Sequence, residues 1–288
     1  MFKYLLIIFI STCSAIAFNI NISSSNIANG KTALIEFDKE KNIKYEDIVV
    51  GKKTYTIFTN PVDKNKAYVL LPISYYEKPN KKKVHLIYKE NNKQKTKFLF
   101  FNVEDGKYKK EQIKVQKSKV SLNKKDKKRA SKEYAEAMKI YNFTNEKSYI
   151  NKKFIVPLDT KITSAFGKAR VYNDTLKGYH SGTDFRAKVD TPIIASNDGI
   201  IILAKSRFYS GNSVIIDHGQ GVYTCYYHMS KFKVKKGDEV KRGQVLGLSG
   251  STGRVTGPHL HFSARVGGIQ VDPLQLIKLL NNNLIKDI

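Results

Sequence analysis

The sequence predicts a mainly β protein in three parts: a β-sandwich-like N-terminal domain, a helical linker, and a C-terminal domain built on an antiparallel β-sheet. Three observations carry this expectation. Short runs rich in Val, Ile, Tyr and Phe, bounded by Asn, Gly, Pro and Asp, recur over 18–105 and again from Phe154 onward. Between them, over 106–150, the composition turns abruptly to Lys, Ser and Glu. Apolar residues at helical spacing are confined to the end of that polar stretch and to the C-terminus. At 288 residues, with 41% hydrophobic and 11% aromatic residues, the chain is long enough for two cores and too apolar to stay unfolded.

Taken in order, Lys3 precedes an apolar run from Tyr4 to Ile10, and Ala15-Ile16-Ala17 supplies a small-x-small cleavage pattern. Residues 1–17 are therefore expected to be a signal peptide cut after Ala17. The apolar run is shorter than the roughly 20 residues a membrane span needs, so no transmembrane helix is expected in the mature chain. Thr12 ahead of Cys13 argues against a lipid anchor there. Without the leader, Cys225 is the single cysteine, and no internal disulfide can form.

The domain over 18–105 has expected strands at Ala33–Phe37, Thr54–Phe58, Ala67–Leu71, Val84–Tyr88 and Phe98–Phe101, reversed at Asn60-Pro61, Lys78-Pro79-Asn80 and Asn91-Asn92. His85, alone among lysines, reads as a surface or edge-strand residue. In the lysine-rich linker over 106–150, Lys107–Lys128 holds few large apolar residues and reads as a solvated arm. Ala130, Tyr134, Ala137, Met138 and Tyr141 then predict one amphipathic helix packed on a domain; two alanines and two tyrosines make too weak a face for a membrane surface. The net charge is +26, but only seven of the 51 basic residues are arginine. Lysine lacks the bidentate fork that grips phosphates and base edges, and no basic-aromatic recognition motif is present, so no nucleic-acid partner is expected.

The C-terminal domain over 151–275 has expected strands at Ile193–Ala195, Gly199–Ala204, Ser213–Asp217, Val222–His228 and Gln244–Leu248, separated by glycine-bearing turns. Pro273–Leu280 predicts a helix that opens the C-terminal helix and tail over 276–288.

Chemistry concentrates in two pieces, Gly178-Tyr179-His180-Ser181-Gly182-Thr183-Asp184 and Gly257-Pro258-His259-Leu260-His261. A zinc hydrolase needs three nitrogen or oxygen ligands and one open position. Gly182, between His180 and Asp184, argues for a turn leading into a strand. His259 and His261, two apart, project from one face of a strand while Leu260 packs behind them. A cysteine-based structural finger is excluded by the single remaining thiol. His228 ends a strand and is expected on the face of Thr224 and Tyr226; His218, ahead of Gly219 and Gly221, reads as a loop-stabilising turn residue, and Cys225 as a small core residue.

From about Val156 to Pro273 the sequence resembles peptidase family M23, the lysostaphin or LytM type of zinc endopeptidase. The resemblance rests on His180-x-x-x-Asp184, Tyr226-Tyr227-His228-Met229-Ser230 and His259-x-His261. It extends to Gly237-Asp238-x-Val240-x-x-Gly243-Gln244-x-x-Gly247 and Gly250-Ser251-Thr252-Gly253-x-x-x-Gly257-Pro258. It implies one zinc ion per chain on His180, Asp184 and His261, with His228 and His259 lining the open side as the catalytic pair; which of the two is the base is not set by spacing. It further implies a secreted endopeptidase of the periplasm or cell envelope that hydrolyses peptide cross-links of peptidoglycan, its choice of cross-link set by loops such as Arg207–Ser210. A non-catalytic activator or binder of another cell-wall hydrolase is the alternative. A regulatory contact through the N-terminal domain or the linker is also expected. Asn173, where some relatives hold an inhibitory ligand, is read as a loop residue.

Overall fold

The computed structural model describes residues 18–114, 122–172 and 176–285. The expected leader and Asn173 lie outside the described residues. The N-terminal part runs β1 (Ile20–Ile22), β2 (Asn26–Ala28), β3 (Thr32–Asp38), β4 (Ile43–Val50), β5 (Lys53–Tyr55), β6 (Phe58–Thr59), β7 (Lys66–Pro72), β8 (Asn80–Glu90) and β9 (Lys93–Glu104). These form two sheets, ordered β1-β3-β7-β6 and β2-β9-β8-β4-β5. They share a core that includes Phe37, Ile48, Val69, Leu86 and Phe101, as a sandwich requires. The strand expected over Thr54–Phe58 is split, because the chain changes sheets there: β5 pairs with β4 and β6 with β7.

β3 and β7 carry apolar residues at adjacent positions, such as Ala33-Leu34-Ile35 and Val69-Leu70-Leu71, and the structure shows why. Ile35, Phe37, Val69 and Leu71 face the sandwich core. Leu34, Tyr68 and Leu70, on the opposite face, join Ile150, Phe154, Val222, Val266, Leu276 and Leu280 in a second core. A sheet buried on both faces loses the polar alternation of a one-sided one. Polar ties reinforce the contact: the Tyr68 hydroxyl donates to Gln220 Oε1 at 2.6 Å, and the Gln275 side chain both accepts from Thr32 N and donates to Thr32 O.

The stretch read as a solvated arm contributes β10 (Lys110–Ile113), and the helix expected after it is α1 (Lys124–Tyr141), which starts within that stretch and is N-capped by Asn123. A strand at a sheet edge is held by main-chain hydrogen bonds and needs few apolar side chains, so β10 escaped a reading based on hydrophobicity. The rest of the chain adds β11 (Ile162–Ser164), β12 (Ala169–Tyr172), β13 (Leu176–Tyr179), β14 (Thr183–Arg186), β15 (Pro192–Ile194), β16 (Gly199–Arg207), β17 (Gly211–Asp217) and β18 (Val222–Met229). It ends with β19 (Lys231–Phe232), β20 (Glu239–Val240), β21 (Val245–Leu248), β22 (His259–Val266), β23 (Ile269–Val271) and α2 (Pro273–Leu279). The main sheet has the order β11-β14-β22-β18-β17-β16-β20, with β23 beside β22. α1 lies on one face, packing Ala137 and Tyr141 on Leu203, Ile215, Tyr223 and Cys225. The other face, with Phe185, Val214, Ile216, Tyr226, Leu260 and Phe262, closes over the small sheet β15-β21-β19. Asp272 caps α2, with Pro273 at its first position.

His218 is fully buried and anchors more than its own turn. Its Nδ1 lies 2.7 Å from Asp198 O and its Nε2 2.7 Å from Thr224 Oγ1. A carbonyl only accepts, so Nδ1 carries the proton; Thr224 then donates to Nε2, Tyr226 OH to Thr224 Oγ1, and Ser196 N to Tyr226 OH. Burial holds the ring down to about 4 from 6.5. The unfolded chain therefore takes up a proton near pH 6.5 that the folded chain refuses. Stability from this group is fully present above that pH and lost as pH falls toward 4, by up to about 3 kcal/mol. Denaturant midpoints at pH 7 and 4.5 should converge in His218→Gln relative to the parent protein; an unchanged difference contradicts this.

Candidate active site

β14 and β22 pair antiparallel with Asp184 opposite His261 and Arg186 opposite His259. Strand alternation sends Phe185, Leu260 and Phe262 into the core behind the sheet. It leaves Asp184, His259 and His261 on the face that carries α1. His180 comes from the turn between β13 and β14, where its Nδ1 donates to Ala165 O at 2.8 Å. That bond fixes the tautomer and turns the unprotonated Nε2 inward.

His180 Nε2 is 2.9 Å from Asp184 Oδ1 and 3.0 Å from His261 Nδ1, which is itself 2.8 Å from Asp184 Oδ1. All three residues are buried. Among the described residues they form a group whose ligand atoms lie within 4.8 Å of one another. Burial opposes the charge on Asp184, but the imidazoles facing it outweigh that and hold the carboxyl well below the usual carboxylate range. Burial also pushes His261 down to about 4, so the ring is neutral near pH 7 and keeps a lone pair. Three polar atoms this close need positive charge among them, either a shared proton or a metal cation. Two imidazole nitrogens and one carboxylate oxygen are a donor set that suits zinc with an open position.

His228 reaches this face by a route that strand alternation does not foresee. Tyr226 pairs with Val214 and Met229 with Asn212, so β18 spends one more residue than β17 in a β-bulge. His228 sits in the bulge in the left-handed region, φ 63°, a conformation costly for a residue with a Cβ. The expectation that it shares the face of Thr224 and Tyr226 is thereby corrected. Tyr226 and Met229 both enter the core, while the His228 ring lies 4.9 Å from that of His259 and 5.9 Å from that of His261.

Each of the two outer histidines is fixed by a carbonyl. His228 Nδ1 donates to Thr252 O and His259 Nδ1 to Gly257 O, both at 2.8 Å, so Nε2 is the unprotonated nitrogen in each neutral ring. His259 Nε2 is 3.7 Å from Asp184 Oδ1. Burial, then the neighbouring His261 and His259, push His228 down to about 3. Tyr227 stacks on His261 with ring centres 5.5 Å apart. The five residues singled out in the sequence thus converge, whereas His85 lies on β8, packed edge-on against Phe98, and His218 belongs to the buried network described above.

Gly182 is dictated by close approach. A Cβ there would lie 2.4 Å from Phe262 O and 2.6 Å from His261 Nε2. Gly182→Ala is therefore expected to displace the His261 ring and to weaken metal binding by the His180, Asp184 and His261 group about tenfold; unchanged metal affinity contradicts the close approach.

Sequence reasoning missed Arg170, whose Nη2 donates to Asp184 Oδ2 at 3.3 Å. Its rarity among lysines, ten residues ahead of His180, was the available signal. The carbonyls of Ala165 and Thr252 carry no side-chain signature and could not have been read.

A buried group of two histidines and one carboxylate on an antiparallel sheet, flanked by a second histidine pair, could hold a metal ion. Residues 178–273 match the model of peptidase family M23, and the chain contains an M23 domain. Over 122 residues it is 45% identical to the peptidoglycan DD-endopeptidase ShyA of Vibrio cholerae, covering 41% of this chain and 28% of that protein. Over 118 residues it is 42% identical to the DD-carboxypeptidase/endopeptidase Mpg of Neisseria meningitidis, covering 41% and 27%. The match therefore spans less than a third of these curated relatives. A crystal structure of a candidate M23 peptidase from Pseudomonas aeruginosa superposes with a TM-score of 0.66 at 26% identity, over 88% of this chain and 95% of that one. That likeness reaches beyond the matched domain.

Proposed function

We propose that the protein is an exported zinc endopeptidase that hydrolyses the peptide cross-links of peptidoglycan. The observation that carries this reading is the convergence of His180 Nε2, His261 Nδ1 and Asp184 Oδ1 within 3.0 Å of one another, beside His228 and His259. The identity to relatives named as peptidoglycan endopeptidases supports the substrate class and, with it, an envelope location. Among the described residues no helix is long and apolar enough to cross a membrane.

His180, Asp184 and His261 would hold the metal. The chemistry a zinc ion would supply there is a bound water with its pKa lowered to about 7 and a polarised scissile carbonyl. The chain's own residues do the rest. His228 and His259, each with Nδ1 committed to a carbonyl, present Nε2 to accept the proton released by the attacking water. Once protonated, either can steady the oxyanion or pass the proton to the leaving amine. Their carbonyl partners, Thr252 and Gly257, keep Nε2 available by fixing the proton on Nδ1.

A non-catalytic activator would not need all five residues in working geometry. The N-terminal part supplies a wall close to the site, since Tyr75 stacks on Tyr179, the neighbour of His180, with ring centres 3.9 Å apart. Purified protein with zinc should release cross-linked stem peptides from defined muropeptides, and mass spectrometry of the products identifies the bond. Intact cross-links of every type tested would favour the activator.

A further inference from the structure

We propose that Glu111, on a strand outside the matched M23 domain, is a positioning residue of the metal centre that acts through Arg170 on Asp184. The inference rests on reading His180, Asp184 and His261 as the metal ligands.

The construction starts with register. β10 pairs in parallel with β12, and this places Glu111 beside Arg170. Arg170 Nε donates to Glu111 Oε2 at 3.1 Å, and Lys168 Nζ to Glu111 Oε1 at 3.2 Å. The other end of the guanidinium donates through Nη2 to Ser164 Oγ and to Asp184 Oδ2, both at 3.3 Å. Ser164 and Asp184 are themselves partners in the pairing of β11 with β14. One side chain therefore links three strands and ends on the carboxylate oxygen that the histidines do not use.

The chemistry gives this link a direction. A guanidinium bonded to Asp184 Oδ2 fixes the carboxylate plane and commits Oδ1 to the metal, which is what an outer partner of a ligand does. The same guanidinium is also a positive charge within a few ångströms of where a dication would sit, and at part-buried positions such repulsion is weakly screened. Glu111 resolves the conflict by holding Arg170 in place and neutralising it. Burial works against charge on Glu111, but Lys168 and Arg170 outweigh it and keep the carboxyl ionised. Glu111 is the sole acidic residue between Lys107 and Lys125, in a stretch otherwise crowded with lysine. Loss of its charge should weaken zinc binding without removing any ligand.

The test is a zinc dissociation constant measured by competition with a chromophoric chelator on the full chain. Glu111→Gln should bind zinc about tenfold more weakly than the parent protein. Lys168→Gln, which removes the other partner of Glu111, should stay within about twofold of it, since it leaves the Arg170 bonds intact. In an Arg170→Met background, whatever its own affinity, adding Glu111→Gln should change nothing, because the route to Asp184 is already cut. Thermal unfolding of the metal-free proteins shows whether each variant folds. Should Glu111→Gln fail to fold, Glu111→Asp takes its place, with weaker zinc binding again expected and parent-like affinity contradicting the proposal. Parent-like zinc affinity in Glu111→Gln, an equal loss in Lys168→Gln, or a further loss in the Arg170→Met background would overturn it. Failure of the parent protein itself to bind zinc would instead remove the underlying reading of the ligands.

Discussion

His261→Ala is expected to bring cleavage of cross-linked muropeptides down to background and to abolish tight zinc binding. His261 supplies one of three ligand atoms, and its partner on the paired strand is Asp184, another. Two protein ligands do not make a closed hydrolytic zinc site. Without the metal, the pKa of water is no longer lowered toward about 7, so the hydroxide nucleophile is lost. The N-terminal fold should survive, because its sandwich core draws on both N-terminal sheets and does not include His261. The parent protein should gain about 2.7 kcal/mol of stability when free zinc is a hundredfold above its dissociation constant, and the variant should gain none. Thermal unfolding with and without zinc reads this directly, and retained turnover in the variant means that the ligand assignment is wrong.

His228→Ala and His259→Ala are expected to separate chemistry from metal binding. Each should lower kcat by about 10²–10⁴ and leave one zinc bound per chain, because neither ring supplies one of the three clustered atoms. Of the two, His228 carries the sharper expectation. It is held in the left-handed region at φ 63°, and a bulge conserving that strain has no packing reward, since the neighbours Tyr226 and Met229 fill the core without it. The strain is explained if aiming this ring is the purpose of the bulge. Metal content measured beside kcat decides the matter. Loss of zinc in either variant would make that histidine a ligand, and unchanged kcat would leave it without a role in the chemistry.

Much of this site was legible in the sequence, for a local reason. His259 and His261 fall on one face by strand period alone, and the turn at Gly182 links His180 to Asp184 over a few residues. The fold class was legible for the same reason, since strand patterns and turn residues are local signals. What escaped depends on pairings between distant segments. Strand period places His228 on the wrong face, because the bulge that moves it is set by the match of β18 to β17. The double-sided burial of β3 and β7 leaves adjacent apolar residues but no indication of what covers the second face. Glu111 and Arg170 meet only because β10 pairs with β12, and β10 is held by backbone bonds that carry no side-chain pattern. The tautomers of His180, His228 and His259 rest on carbonyls, which no sequence motif displays.

Cleavage is expected to need one zinc ion on His180, Asp184 and His261. Stripping the purified protein with a chelator and adding zinc back in measured steps, while following muropeptide cleavage by mass spectrometry, tests it most directly. Activity should vanish on stripping and return in proportion to zinc up to one ion per chain. Cleavage at the same rate in the stripped, verified metal-free protein would contradict the account.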